Sequence, residues 1–305
     1  VYGYYAYDQA GFPYAVRARY FDTGLRGIAQ YPFSTVQRIE FSGGLRRFSR
    51  DFQFYNLATG ERSDQDGRAF NLAEASAALV YDNSLSGYTS PFAGQRYRFE
   101  LSPTFGTIQF VQGLADYRRY FFARPFTLAL RAMHYGRYGR DAEDSTAFYP
   151  IFLGYSSLIR GYYDTFNACT GANDLEARAA CALLNPLYGS RVGVFNAELR
   201  FPLIRQVVVG PGIGLPPIEG IAFADAGIAW NSGDELRFQR LQLQPNPAQP
   251  DLLEADPSRR ALLTSGGVGA RVNLLGLFIL EIDYVNAFDW PGRGWHWQFS
   301  LQPGF

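Results

Sequence analysis

Trp295-His296-Trp297-Gln298-Phe299-Ser300-Leu301-Gln302-Pro303-Gly304-Phe305 closes the chain. Its odd positions are large and mostly aromatic, and its even positions are polar or Gly without a formal charge. A period of two puts each set on one face of a strand. The bulky face suits lipid, and the polar face suits a wet interior. The pattern recurs upstream. Phe278, Leu280, Ile282 and Tyr284 alternate with Ile279, Glu281, Asp283 and Val285, and Phe195, Ala197, Leu199 and Phe201 alternate with Asn196, Glu198 and Arg200. Phe126, Leu128 and Leu130 interleave with Thr127, Ala129 and Arg131, as Tyr97, Phe99 and Leu101 do with Arg98, Glu100 and Ser102. Charges inside strands are costly in a dry sandwich core and ordinary where one face lines water. The chain therefore reads as all-β, an antiparallel transmembrane β-barrel.

Composition agrees with that reading. The 305 residues carry 26 Phe, 21 Tyr and 4 Trp, as a barrel with aromatic girdles requires. The formal charge is zero, every basic side chain is Arg, and no nucleic-acid partner is implied. No apolar run reaches the roughly 18 residues of a membrane helix, whereas a transmembrane strand needs only about ten, half of them apolar. No signal peptide opens the chain at Val1, so an exported protein is expected here as a mature or truncated product. With no solenoid repeat and no second globular domain, residues 1–305 form one barrel domain.

About thirteen strands are expected, near 1–7, 12–20, 24–31, 35–47, 69–82, 95–105, 108–120, 125–138, 188–202, 218–231, 263–273, 277–286 and 295–305. Bacterial barrels use even numbers, so one boundary is misplaced or amino-terminal strands are missing. Residues 48–68, 139–187 and 232–262 read as long loops, and those near 31–34, 121–124 and 274–276 as tight turns. Long loops at one end and short turns at the other mark the extracellular and periplasmic sides. The carboxyl terminus then falls on the periplasmic side. Within 139–187, the segment Asp174–Leu184 starts with an acid and is rich in helix formers, predicting a short helix. The only cysteines, Cys169 and Cys181, lie in this loop. A local disulfide in an oxidising compartment is their first reading, with a metal site or two free thiols as alternatives.

Three motifs then belong together. Leu158-Ile159-Arg160-Gly161-Tyr162 sits in the long loop, Asn196-Ala197-Glu198-Leu199-Arg200-Phe201-Pro202 on the following strand, and Phe223-Ala224-Asp225-Ala226-Gly227 on the one after. Alternation turns Glu198 away from Phe195, Leu199 and Phe201, and puts Phe223, Asp225 and Gly227 on one face. Both carboxylates thus point inward from adjacent strands. An inserted loop carrying Arg160 offers them a guanidinium fork, with Gly161 allowing a sharp turn and Tyr162 packing its ring on the wall.

In this arrangement the chain resembles the outer membrane protein 85 superfamily, the BamA-, TamA- and FhaC-like barrels of the bacterial surface antigen family. Ile159–Tyr162 match its loop motif Val/Ile-Arg-Gly-Phe/Tyr, and Phe223, Asp225 and Gly227 its strand motif Phe-x-Asp-x-Gly. The turns Tyr31-Pro32-Phe33 and Tyr81-Asp82-Asn83-Ser84, the segment Gly267–Arg271 and the terminal Phe305 are similar as well. The resemblance implies that Arg160 contacts Asp225 with Glu198 nearby. It also implies a sixteen-stranded barrel; this sequence departs from it in showing twelve or thirteen strands and none of the periplasmic POTRA repeats that receive client polypeptides in the family's transport members. In such barrels the last strand, here carrying Trp297, Phe299, Leu301 and Phe305, forms half of a seam that opens laterally and templates an incoming strand by β-augmentation.

The expected function is a bacterial outer-membrane barrel for polypeptide transport or membrane insertion. Its partners would be outer-membrane lipid, lipopolysaccharide, client polypeptides and other envelope proteins. A passive barrel that anchors a periplasmic domain or belongs to a larger envelope complex is the alternative. Neither enzyme activity nor a cofactor or metal is expected: His134 and His296 are far apart, and no Ser sits in a Gly-x-Ser-x-Gly elbow. Glu281 and Asp283 are taken to line water. A loop filling the interior argues against a diffusion porin.

Overall fold

The computed structural model describes residues 2–7, 13–57, 59–145, 147–169, 174–204, 207–208, 214–245, 253–255, 259–274 and 276–303. Twelve strands follow one another in a single antiparallel path among these residues: β1 (Tyr2–Tyr7), β2 (Pro13–Pro32), β3 (Gln37–Asn56), β4 (Arg62–Asp82), β5 (Pro91–Gly106), β6 (Phe110–Ala123), β7 (Phe126–Tyr138), β8 (Arg191–Ile204), β9 (Ile218–Trp230), β10 (Arg259–Leu274), β11 (Phe278–Ala287) and β12 (Trp295–Pro303). Each strand pairs with its sequence neighbour, which is the up-and-down order of a membrane barrel. Alternation fixes which face is which. Trp295, Trp297, Phe299 and Leu301 stand exposed on the outer face of β12, while His296, Gln298 and Ser300 turn inward.

The sheet curls on itself. Asn273 on β10 donates from Nδ2 to the Tyr88 carbonyl in the turn before β5, at 2.8 Å. In a flat sheet five strand spacings would hold β5 and β10 about 24 Å apart. Arg200 on β8 likewise reaches the Pro91 carbonyl at 2.9 Å, and Ser90 donates its hydroxyl to Glu219 on β9. The fold is therefore a transmembrane β-barrel rather than a sandwich, and among the described residues β1 and β12 are the free edges of its path.

Two expectations are corrected at the long-loop end. Segments 12–20 and 24–31 are one strand, β2, which accounts for the odd count. Where the two segments join, Asp22 takes a paired contact from Arg46 on β3 (Nε–Oδ1 2.8 Å, Nη2–Oδ2 2.5 Å). Gly24 lies in the same strand, at a place where a Cβ would come within 2.7 Å of the Leu45 carbonyl oxygen. Residues 48–68 are the outer end of the β3–β4 hairpin instead of a loop, with Phe52 paired to Gln65 and Tyr55 to Arg62. The hairpin turns after Asn56, whose Oδ1 accepts from the Thr59 amide, and Gly60 takes φ +74°. The polar residues that suggested a loop are the solvated face of a strand extension.

The segment 139–187 remains the longest connection and carries its own structure. Ile151–Phe152 pair with Tyr188–Gly189, followed in space by α1 (Thr165–Cys169) and α2 (Leu175–Leu187). The expected helix is present, capped by Asp174, whose side chain accepts from the Ala177 amide at 2.9 Å. Cys169 and Cys181 form a disulfide that ties the two helices. Part of the expected loop 232–262 is ordered too, since Glu235–Arg240 run parallel to the start of β10.

Candidate functional site

The connection 139–187 folds down onto the inner face of β7–β12. Its apolar contacts seat it there. Ile159, Tyr162, Leu153 and Leu183 are fully buried with Val192, Val194, Ala229 and Leu263 from the strands. Gly227 on β9 opens the space for this docking. A Cβ at that position would lie 2.8 Å from Ile159 Cγ2 and 3.0 Å from Leu153 Cδ1. Gly161 has φ +92°, a backbone conformation that favours glycine. Its amide donates to Gln298 Oε1 on β12 at 2.7 Å.

The turn delivers Arg160, 4 % exposed, into a cluster of acids. Nε and Nη2 grip Asp225 at 2.7 and 2.8 Å, and the Arg160 amide adds a third contact at 3.2 Å. Nη1 donates to Glu198 at 2.9 Å and to Glu281 at 3.3 Å. The guanidinium lies 3.6 Å over the Phe223 ring, a cation–π contact in a desolvated setting. Burial by itself would lower the proton affinity of Arg160; Asp225, Glu198 and Glu281 outweigh it and raise it, so the group stays charged. Tyr162 donates its hydroxyl to the Thr264 carbonyl at 2.8 Å and lies 3.3 Å from Asp289. Burial, with the charge of Asp289 added, holds that hydroxyl well above its usual value and keeps it a donor.

The structure thus brings together Ile159, Arg160, Gly161, Tyr162, Glu198, Phe223, Asp225 and Gly227. Trp297, Phe299 and Leu301 lie apart from them on the outer face, and Phe305 lies outside the described residues. One expectation fails: Asp283 is 2 % exposed, and Glu281, 4 % exposed and only bordering the inner cavity, is held by arginines rather than by water. Glu281 accepts from Arg160 and twice from Arg271, whose Nη1 and Nη2 also reach Glu198 at 2.9 Å each. Arg271 is the main residue that sequence reading did not assign to the site. Its strand parity marks it as inward, but only the register, which sets it opposite Glu281, and the curl of the sheet, which brings Glu198 within reach, show which acids it meets. Asn196 completes the site, holding Asp225 Oδ1 and the Leu158 carbonyl at 2.8 Å each.

This arrangement is one of restraint. Among the described residues, every acid in contact with Arg160 is occupied by guanidinium donors in a buried setting. No ≥3-residue His/Cys/Asp/Glu group suited to a metal occurs among the described residues.

No protein-family model matches the chain, and no curated protein sequence matches it. Solved structures do match. BamA from Haemophilus ducreyi lacking POTRA domains 1–3 aligns with a TM-score of 0.57 at 13 % identity, over 98 % of this chain and 56 % of that one. CdiB from Acinetobacter baumannii aligns with a TM-score of 0.54 at 12 % identity, over 96 % of this chain and 44 % of that one. The chain spans about half the length of either structure. At these identities the likeness is one of fold, and the fold is that of an outer-membrane β-barrel of the BamA and CdiB kind.

Proposed function

We propose that the chain is an outer-membrane barrel for polypeptide transport or membrane insertion, in which the Arg160 loop braces the carboxyl-terminal edge. The observation that carries this reading is the bond from the Gly161 amide to Gln298 on β12. It links the buried arginine cluster to a strand that, among the described residues, is paired on one side only. Exposed strand edges pair readily with an incoming strand. A brace that sets the position of β12 therefore sets how that edge is offered to a client polypeptide. The likeness of fold to BamA and CdiB supports the same reading. Lipid and lipopolysaccharide would meet the outer aromatic face. The ends carrying loops 139–187 and 232–262 would be extracellular, and the carboxyl terminus periplasmic.

The test uses the purified barrel folded into lipid vesicles, with folding followed by heat-modifiable gel mobility. Arg160→Ala is expected to leave the folded band in place and to slow insertion of an unfolded barrel client by about tenfold, the scale of one lost charged hydrogen bond. Equal insertion by variant and parent would remove the brace. No insertion by either would favour the passive anchor.

A further inference from the structure

A cavity of about 310 Å³ lies inside the barrel between the Arg160 loop and the turn 83–90. Six arginines line it, Arg96, Arg118, Arg131, Arg160, Arg200 and Arg271, against two acids, Glu198 and Glu281. One wall is matched in charge: Arg160, Arg200 and Arg271 all engage Glu198, and Asp225 and Glu281 complete the set.

The opposite wall is not matched. Arg96 on β5 stands directly across from Arg118 on β6, and Arg118 directly across from Arg131 on β7. Like charges in that relation repel. Asp116 serves both Arg118 and Arg131 and gives each of them both of its oxygens. On the other side of Arg96 stands Asp82, whose Oδ1 accepts from the Ser84 amide and hydroxyl. Among the described residues the Arg96 guanidinium has no ion-pair partner. An inward row of three guanidiniums with one shared acid, facing a partly enclosed cavity, is short of negative charge.

We infer that this wall binds a small oxyanion, a phosphate or a carboxylate, through the open fork of Arg96, with Arg118, whose Nε and Nη2 are held by Asp116, adding its charge and its remaining N–H groups. The planar guanidinium fork matches two oxygens of such a group, and removal from bulk water strengthens the contact. Ser156 and Ser157 border the same cavity from the loop and supply neutral donors. The volume falls in the range of small-molecule sites. An anion here would touch the loop and the strand row together, which ties its occupancy to the seating of the loop. The inference needs no transport activity, so either reading can fail without the other.

Titration calorimetry on the detergent-folded barrel in phosphate-free buffer tests it, with inorganic phosphate in one arm and succinate in the other. Saturable binding is expected in at least one arm, and the tighter arm names the source. Arg96→Gln should weaken it about tenfold or more. Arg62→Gln, an exposed residue paired with Asp64, should not change it. Arg96→Lys keeps the charge and loses the fork, and should fall between parent and Arg96→Gln. If Arg96→Gln does not give the folded gel band, Arg96→Lys carries the comparison. No saturable heat in either arm, or equal affinity in parent and Arg96 variants, overturns the site.

Discussion

At the scale of single residues, the motif Phe223-x-Asp225-x-Gly227 is a set of three fitted contacts. Phe223 supplies the ring under the guanidinium, Asp225 the paired acceptor, and Gly227 the gap that admits Ile159. Gly227→Ala should therefore act on the loop as well as on the strand. Its Cβ would collide with Ile159 and Leu153, both fully buried, so neither can retreat cheaply. Overpacking of this kind costs about 1–3 kcal/mol. The expected result is a lower unfolding midpoint in denaturant and faster proteolysis within 139–187, with the barrel still folded. A midpoint and cleavage rate equal to the parent would mean that the loop does not dock on β9. These residues were legible in the sequence because each is demanded by type. Arg271 was not, because an inward arginine on a Gly-rich strand specifies no partner until the register is known. Glu281 and Asp283 were misjudged for the same reason: parity gave their face but not what covers it.

At the scale of elements, a small helical unit packs at the long-connection end of the barrel. Ala179, Ala180, Leu183 and Leu187 of α2 are buried, and Trp290 from the β11–β12 connection donates to the Glu176 carbonyl at 3.1 Å. Arg293 adds an ion pair to Glu176 at 2.7 Å. The disulfide holds α1 against α2 across twelve residues of chain. A crosslink closing so short a loop contributes about 3 kcal/mol to its ordering. Reduction should speed proteolysis within 165–187 while the heat-modifiable barrel band persists. Loss of the barrel band on reduction would instead make the cap part of the folding core. The helix was readable from its acid cap and helix formers. The strand extensions were not, because exposed polar residues on a long hairpin look like loop until the partner strand, and the Arg46–Asp22 bond across it, is in view.

At the scale of the whole molecule, two solvents meet across one sheet. On β12 the outward Phe299 is 67 % exposed, while its neighbour Ser300 faces inward opposite Glu281. Curling of the sheet makes this difference physical: the same strand borders lipid on one side and an ion-paired interior on the other. A charge placed on the lipid side must leave water for hydrocarbon, and for arginine at the bilayer midplane that costs about 2–4 kcal/mol. On the inner side an arginine at position 300 would find Glu281 directly across the ladder. Phe299→Arg is therefore expected to lower the yield of barrel folded into vesicles and its stability by about that amount. Ser300→Arg is expected to lose less than Phe299→Arg, although the added arginine must share Glu281 with Arg160 and Arg271. The comparison separates a membrane barrel from any soluble sheet, where the outer position would lie in water and accept the charge. Equal folding of the two variants, or a larger loss for the inner one, would contradict the two-solvent arrangement on which the outward aromatic face and the inward arginine cluster both depend.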